Sequence, residues 1–139
     1  MKKFMPMNVR KYLFSTLVLL SLLLSSCNRK VANAELVADR FYNAIMQQRL
    51  DDIKPLIDAT VLKKEPFGSW KSEINAILGQ RGLLQDFRKS SVKFFKDKNE
   101  NFIVKLTYKV TYNYGVFYET LTLMMPKHAK EFRIIGYDF

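Results

Sequence analysis

The stretch that decides the fold class is residues 102–125, which read FIVKLTYKVTYNYGVFYETLTLMM. Apart from Ile103, residues 102–112 alternate apolar or aromatic side chains with polar ones, which is the pattern of a half-buried β-strand. Tyr114-Gly115 supplies a turn, and residues 116–125 repeat the alternation. The stretch therefore predicts an antiparallel β-hairpin with one apolar face.

The parity of the two strands also predicts how they pair. A turn centred on Tyr114-Gly115 sets Tyr112 opposite Phe117 and Tyr108 opposite Leu121. Every apolar residue of this face then meets an apolar partner, except where Glu119 lies opposite Val110. A shift by one residue would mix the two faces, so the unshifted register is favoured.

The first half of the chain reads as three helices. Asp51 or Asp52 starts a second, short helix, and Ser69 starts a third helix that ends at Gly79 or Gly82. The first helix is predicted from apolar residues that recur with a helical period; these are Ala34, Val37, Ala38, Phe41 and Ile45.

Two more strands complete the predicted elements. One lies near residues 90–95 and the last covers residues 132–139, whereas residues 63–68, with three charges, a Pro and a Gly, read as a loop. Helices followed by strands indicate an α+β fold, with three N-terminal helices packed on a four-stranded antiparallel sheet.

The N-terminus has the layout of a secretory signal peptide over residues 1–26. An apolar stretch, residues 12–24, is too short for a comfortable membrane span, which makes a transmembrane anchor the weaker alternative. Small residues, Ser25 and Ser26, follow it. The preceding region is positively charged and contains no acid; its basic residues are Lys2, Lys3, Arg10 and Lys11.

The end of this segment, Leu24-Ser25-Ser26-Cys27, resembles the lipobox of bacterial lipoproteins. The resemblance implies that the signal is removed before Cys27 and that lipid is attached to this residue, which would anchor the chain stably. An incidental free Cys is the alternative. If Cys27 is lipidated, residues 27–30 are the lipidated Cys and a short tether. Asn28 then resembles the residue that follows the lipidated Cys in outer-membrane lipoproteins.

Composition limits the remaining classes of function. The chain has 139 residues, 23 basic and 13 acidic, and a formal net charge of +10. Because four basic residues lie in the signal, 19 basic and 13 acidic residues remain, a net charge of +6 that weakens the case for a nucleic-acid partner. One Cys and one His cannot form an internal disulfide or a Cys/His zinc site.

The order of elements over residues 31–139 resembles the nuclear-transport-factor-2-like, or cystatin-like, superfamily. The matching segments are residues 41–45, residues 50–53, Gly82 and the closing residues 132–137. The resemblance implies a cone in which a curved sheet wraps around helices. It implies little about activity, because this fold hosts enzymes, binding modules and scaffolds.

Glu119 fits its surroundings least, because it shares an apolar row with Phe117 and Leu121. If buried, its carboxyl group would have a raised pKa, as a general base or ligand anchor needs; if it reaches solvent near the hairpin end, it has no such role. Aromatic side chains that could line a pocket with Glu119, or simply pack in the core, are Trp70, Tyr108 and Tyr112.

A basic segment interleaved with Phe precedes the hairpin, at Arg88, Lys89, Lys93, Lys96 and Lys98. Behind a lipoprotein signal, such a segment would face anionic lipid headgroups or an acidic partner. A solvated strand face is the simpler alternative.

These patterns predict a noncatalytic envelope lipoprotein that binds a protein partner or a small ligand. It would be lipid-anchored, in the outer membrane and facing the periplasm, with no metal, no cofactor and no nucleic-acid partner. The alternative function is a small envelope enzyme that uses Glu119 and a pocket tyrosine.

Overall fold

The structure, a computed structural model, describes residues 28–139, so the expected signal peptide and Cys27 lie outside the described residues. The chain divides into two compact units, Met1–Ala32 and Asn33–Phe139. Of the first unit only residues 28–32 are described, and they are helical. Residues 28–30, expected to form a tether, therefore have helical backbone.

Helices precede the sheet, as predicted. Residues 28–46 form α1, and a 3₁₀ helix follows over Leu50–Leu56. Two further α-helices are α2, Ala59–Lys64, and α3, Phe67–Arg81. The second predicted helix is thus a 3₁₀ helix with Pro55 inside it.

Helix α2 was missed, because its last residues, Lys63 and Lys64, fall in the segment predicted to be a loop. Helix α2 forms here because its N-terminus is capped: the Asp58 carboxylate accepts a hydrogen bond of 2.8 Å from the Thr60 N–H at the start of the helix. The predicted N-cap of α3, Ser69, is also wrong. The helix begins at Phe67 after Pro66, and Ser69 lies within its first turn.

Four strands form one antiparallel sheet in chain order. They are β1 (Leu84–Lys96), β2 (Phe102–Tyr112), β3 (Gly115–Met125) and β4 (Arg133–Asp138). The sheet confirms the α+β class and all four predicted strands, although β1 begins six residues before the predicted residues 90–95.

The predicted register of the hairpin is wrong by two residues. Tyr112 pairs with Gly115 instead of Phe117, and Glu119 pairs with Tyr108 instead of Val110. The turn is Asn113-Tyr114, whose N–H groups donate to the carbonyl oxygens of Leu83, which lies between α3 and β1, and of Arg81, the last residue of α3. Because the error is an even number of residues, every side chain remains on its predicted face.

One face of the sheet packs against the helices. On α1, the Phe41 ring contacts the Tyr137 ring of β4 at a centroid distance of 4.8 Å, and the Tyr42 ring lies 4.8 Å from Tyr108 of β2. The opposite face, which we call the outer face, is exposed at Lys105 and Lys109.

Candidate functional site

Glu119 is the centre of the candidate site. It lies on β3 between Phe117 and Leu121, on the face that packs against the helices, and it is 0% exposed. Of the two alternatives that the sequence left open, burial in the core or exposure near the hairpin end, the structure has the first. A buried carboxylate is stable only where polar groups of the protein replace the lost water.

Three donors compensate the Glu119 carboxylate. Its Oε1 accepts hydrogen bonds from Arg81 Nη1 at 2.9 Å and from the Tyr112 hydroxyl at 2.7 Å. Its Oε2 accepts a hydrogen bond from the Tyr137 hydroxyl at 2.6 Å. The cluster joins α3, β2, β3 and β4, so it fixes the end of α3 to three strands of the sheet.

Arg81 is positioned by the hairpin as well as by Glu119. It is the last residue of α3, and its guanidinium carbon lies 3.9 Å from the centroid of the Phe117 ring, a cation–π contact. Its carbonyl oxygen accepts a hydrogen bond from the Tyr114 N–H at 3.0 Å. A cation at the C-terminal end of a helix is also favoured by the helix dipole.

The tyrosines around Glu119 are held in their neutral form. Burial, and then the hydrogen bond to Glu119, raise the pKa of Tyr112. Burial and the negative charge of Glu119 raise the pKa of Tyr137 well above its ordinary value. The same two causes raise the pKa of Tyr42, whose buried hydroxyl makes no hydrogen bond within residues 28–139.

Alkaline pH is therefore expected to destabilise the domain. Since the folded-state pKa values of Tyr42, Tyr112 and Tyr137 are raised, the stability they contribute is fully present below their ordinary pKa of about 10. It is lost as the pH rises above that value, because the unfolded chain releases phenolic protons first. Denaturant unfolding across alkaline pH measures this loss, and Tyr137→Phe should make the pH dependence shallower. An unfolding free energy that stays constant well above pH ~10 would contradict the burial of these phenols.

Three of the four residues predicted to line a pocket lie at the Glu119 cluster, and the fourth, Trp70, lies at a cavity. Tyr112 and Glu119 are hydrogen-bonded, and Tyr108, paired with Glu119 in the sheet, packs on Tyr42. Trp70 lines a cavity of about 220 Å³. The other residues of that cavity include three acids, Glu65, Glu73 and Asp138, together with Tyr137 and Phe139.

The five residues of the predicted basic segment also divide between locations. Arg88 and Lys93 lie on the outer face, opposite Lys109 and Lys105 respectively. The others are distributed as follows: Lys89 is ion-paired with Glu35, Lys96 pairs with Phe102 in the sheet, and Lys98 lies in the β1–β2 turn.

Four residues of the Glu119 cluster and of the outer face were not predicted from the sequence to belong to a site, namely Arg81, Tyr137, Lys105 and Lys109. Lys105 and Lys109 could have been found from the β1–β2 register, which brings them beside the basic segment. Tyr137 has the parity of a core-facing residue on β4, opposite Leu121. Nothing local in the sequence marks Arg81 as the partner of Glu119, because 38 residues separate them.

None of the helices within residues 28–139 is long and apolar enough to cross a membrane. In the same part of the chain, no group of His, Cys, Asp and Glu side chains is placed to hold a metal ion. In comparisons with known proteins, neither the family models nor the curated proteins gave a match to the chain.

Proposed function

We propose that this chain is a lipid-anchored lipoprotein of the bacterial envelope, and that residues 31–139 form a noncatalytic module that binds a protein partner or a small ligand. The observation that carries the noncatalytic assignment is the environment of Glu119. Both of its carboxylate oxygens accept hydrogen bonds from the protein, and the residue has no exposed surface. A general base must instead come within hydrogen-bond reach of its substrate.

The alternative function, an enzyme that uses Glu119 with a pocket tyrosine, requires this cluster to open. A substrate would have to displace Arg81, Tyr112 or Tyr137 before it could reach the carboxylate. That displacement would leave a buried donor without a partner, which is energetically unfavourable. The arrangement therefore favours a structural role for Glu119.

The anchor rests on the sequence Leu24-Ser25-Ser26-Cys27 after an apolar stretch. Acyl chains on Cys27 would hold residues 31–139 at the membrane without a spanning helix. Asn28 resembles the residue that follows the lipidated Cys in outer-membrane lipoproteins. This resemblance favours an anchor in the outer membrane, with the domain facing the periplasm.

Replacing the anchor residue is expected to release the protein from the membrane. In Cys27→Ser, no thiol remains to accept lipid, so incorporation of labelled palmitate and recovery in the membrane fraction should both be lost. Ser25→Ala is the matched control, because it keeps a small residue before an intact Cys27 and should retain both properties. If Cys27→Ser keeps the label and remains in the membrane fraction, the anchor proposal is wrong.

The fold adds support to a binding module of the nuclear-transport-factor-2-like type. Helices precede a four-stranded antiparallel sheet and pack on one of its faces through Phe41 and Tyr42. We propose that the sheet curves around these helices as the cone of that superfamily does. A small ligand would have the cavity beside Trp70 available to it.

Binding can be tested in the native envelope. Chemical crosslinking of the lipidated protein followed by pull-down should recover a specific partner with the wild-type chain. Cys27→Ser should lose that partner, because it is no longer held beside the membrane. If no crosslinked partner or bound small molecule is recovered from the native envelope, the binding-module proposal fails.

A further inference from the structure

Strand β1 has a free edge. It is 13 residues long and stands first in the sheet order β1-β2-β3-β4, so only one of its sides is paired with a strand within residues 33–139. The backbone N–H and C=O groups on the other side are available to a further strand. We call residues 92–96 of β1 the basic edge.

The basic edge exposes apolar side chains on both faces of the sheet. Val92, Phe94 and Phe95 are 37%, 50% and 47% exposed. Phe94 pairs with Val104 and therefore points to the helix-covered face, whereas Phe95 pairs with Ile103 and points to the outer face. A membrane surface could cover only one of these rings, but an added strand covers both, because its own side chains alternate between the faces.

Lys93 of the basic edge and Lys105 beside it carry positive charges that no acidic side chain of residues 28–139 neutralises. Lys93 lies directly opposite Lys105, and neither makes an ion pair with any of residues 28–139. Like charges opposite one another on adjacent strands are destabilising. Lysines on an edge strand can protect it from unwanted pairing, but Lys105 is on the inner strand β2 and has no such role. Carboxylates on an added strand would relieve this repulsion.

A second copy of this chain is a poor occupant of the edge. Residues 84–98 contain five basic residues and two acidic ones, Asp86 and Asp97. Pairing two copies of β1 would bring both sets of positive charge together. The charge of the edge is instead complementary to an acidic chain.

We propose that the basic edge of β1 binds an extended, acidic segment of a protein partner, which adds to the sheet as a fifth strand. Backbone hydrogen bonds to β1 provide affinity, Phe94 and Phe95 pack against alternate side chains of the segment, and Lys93 with Lys105 selects carboxylates. This inference rests on the proposed function, because it specifies the partner of the binding module.

The probe for this proposal is a short synthetic peptide in which Val and Glu alternate, titrated into the full chain. Hydrogen exchange of the β1 amides reports whether the peptide pairs with the edge, and fluorescence anisotropy gives its affinity. Two control peptides separate the contributions: one has Lys in place of Glu, and one keeps Glu but has N-methylated backbone amides, which cannot pair as a strand.

We expect binding of the acidic peptide with protection of β1 amides, and about tenfold weaker binding of both control peptides. The variant Lys93→Glu/Lys96→Glu should also bind about tenfold more weakly. The variant Lys63→Glu/Lys64→Glu on α2 has the same change in net charge at two exposed residues and should bind normally.

Three results would overturn the proposal: equal binding of the N-methylated peptide, no binding of any peptide, or self-association through β1 in sedimentation. Binding of phosphatidylglycerol vesicles that depends on Lys93 and Lys96, while the acidic peptide does not bind, would assign the edge to the membrane instead. These failures leave the proposed function intact if Cys27-dependent labelling and crosslinking to a partner persist.

Discussion

Glu119→Ala is expected to destabilise the domain by about 3–5 kcal/mol, because it leaves the Arg81 guanidinium and two tyrosine hydroxyls without their shared acceptor. A small domain is stable by only about 5–15 kcal/mol, so this loss is a large part of the total. Denaturant unfolding monitored by circular dichroism measures it. The change should appear in the midpoint, with an unaltered slope.

Two variants show whether charge or hydrogen bonding dominates. Glu119→Gln keeps one acceptor oxygen but removes the negative charge facing Arg81, and we expect a loss between zero and that of Glu119→Ala. Glu100→Ala, at an exposed acid paired with Lys127 on the surface, should change stability little. If Glu119→Ala is as mild as Glu100→Ala, the cluster does not hold α3 to the sheet.

Gly82→Ala is expected to destabilise the domain by about 3 kcal/mol or more. Gly82 follows α3 with φ 81° and ψ −170°, a conformation that residues with a Cβ rarely adopt. A Cβ at this position would lie 2.6 Å from the Cβ of Asn113 in the hairpin turn, which is too close for two carbon atoms. The substitution therefore strains the backbone and pushes α3 away from the hairpin at once.

The chain supplies matched controls for Gly82→Ala. Gly79 lies inside α3, and an added Cβ there meets no atom within 4 Å. Gly79→Ala should therefore stabilise the helix by about 0.5–1 kcal/mol. Adding Asn113→Gly to Gly82→Ala should recover the part of the loss that comes from the close contact but not the part from backbone strain. A neutral Gly82→Ala, by thermal and denaturant unfolding, would contradict the tight junction between α3 and the hairpin.

The fold class could be predicted from the sequence because the alternation in residues 102–125 and the helical period before it are local patterns. The register of the hairpin could not, since parity distinguishes an odd shift from an even one but not a shift of two residues. The turn is placed at Asn113-Tyr114 by two hydrogen bonds, which its N–H groups donate to the carbonyl oxygens of Arg81 and Leu83. Those bonds depend on where α3 ends.

The candidate site, like the fold, could be predicted only in part from the sequence. Glu119 was identified because a carboxylate in an apolar row is exceptional, and the structure buries it. Of its three donors, Tyr112 was named with it, but Arg81 and Tyr137 were not, because they come from α3 and β4, which are distant in sequence. Likewise, the five basic residues of β1 and its turn read as one surface in sequence. The sheet separates them because neighbours on a strand point to opposite faces.

The order of the strands has a consequence for how the chain folds. Each strand pairs with the one before it, across connections as short as the two residues between β2 and β3. Closing such short loops loses little chain entropy, so the sheet can form stepwise through local hairpins, and topologies with local contacts fold fast. The contacts that span the sequence are those between helices and sheet, such as Arg81 with Glu119. We therefore expect helix docking to be the slow step, and substitutions at this ion pair to alter unfolding rates more than the rate of hairpin formation.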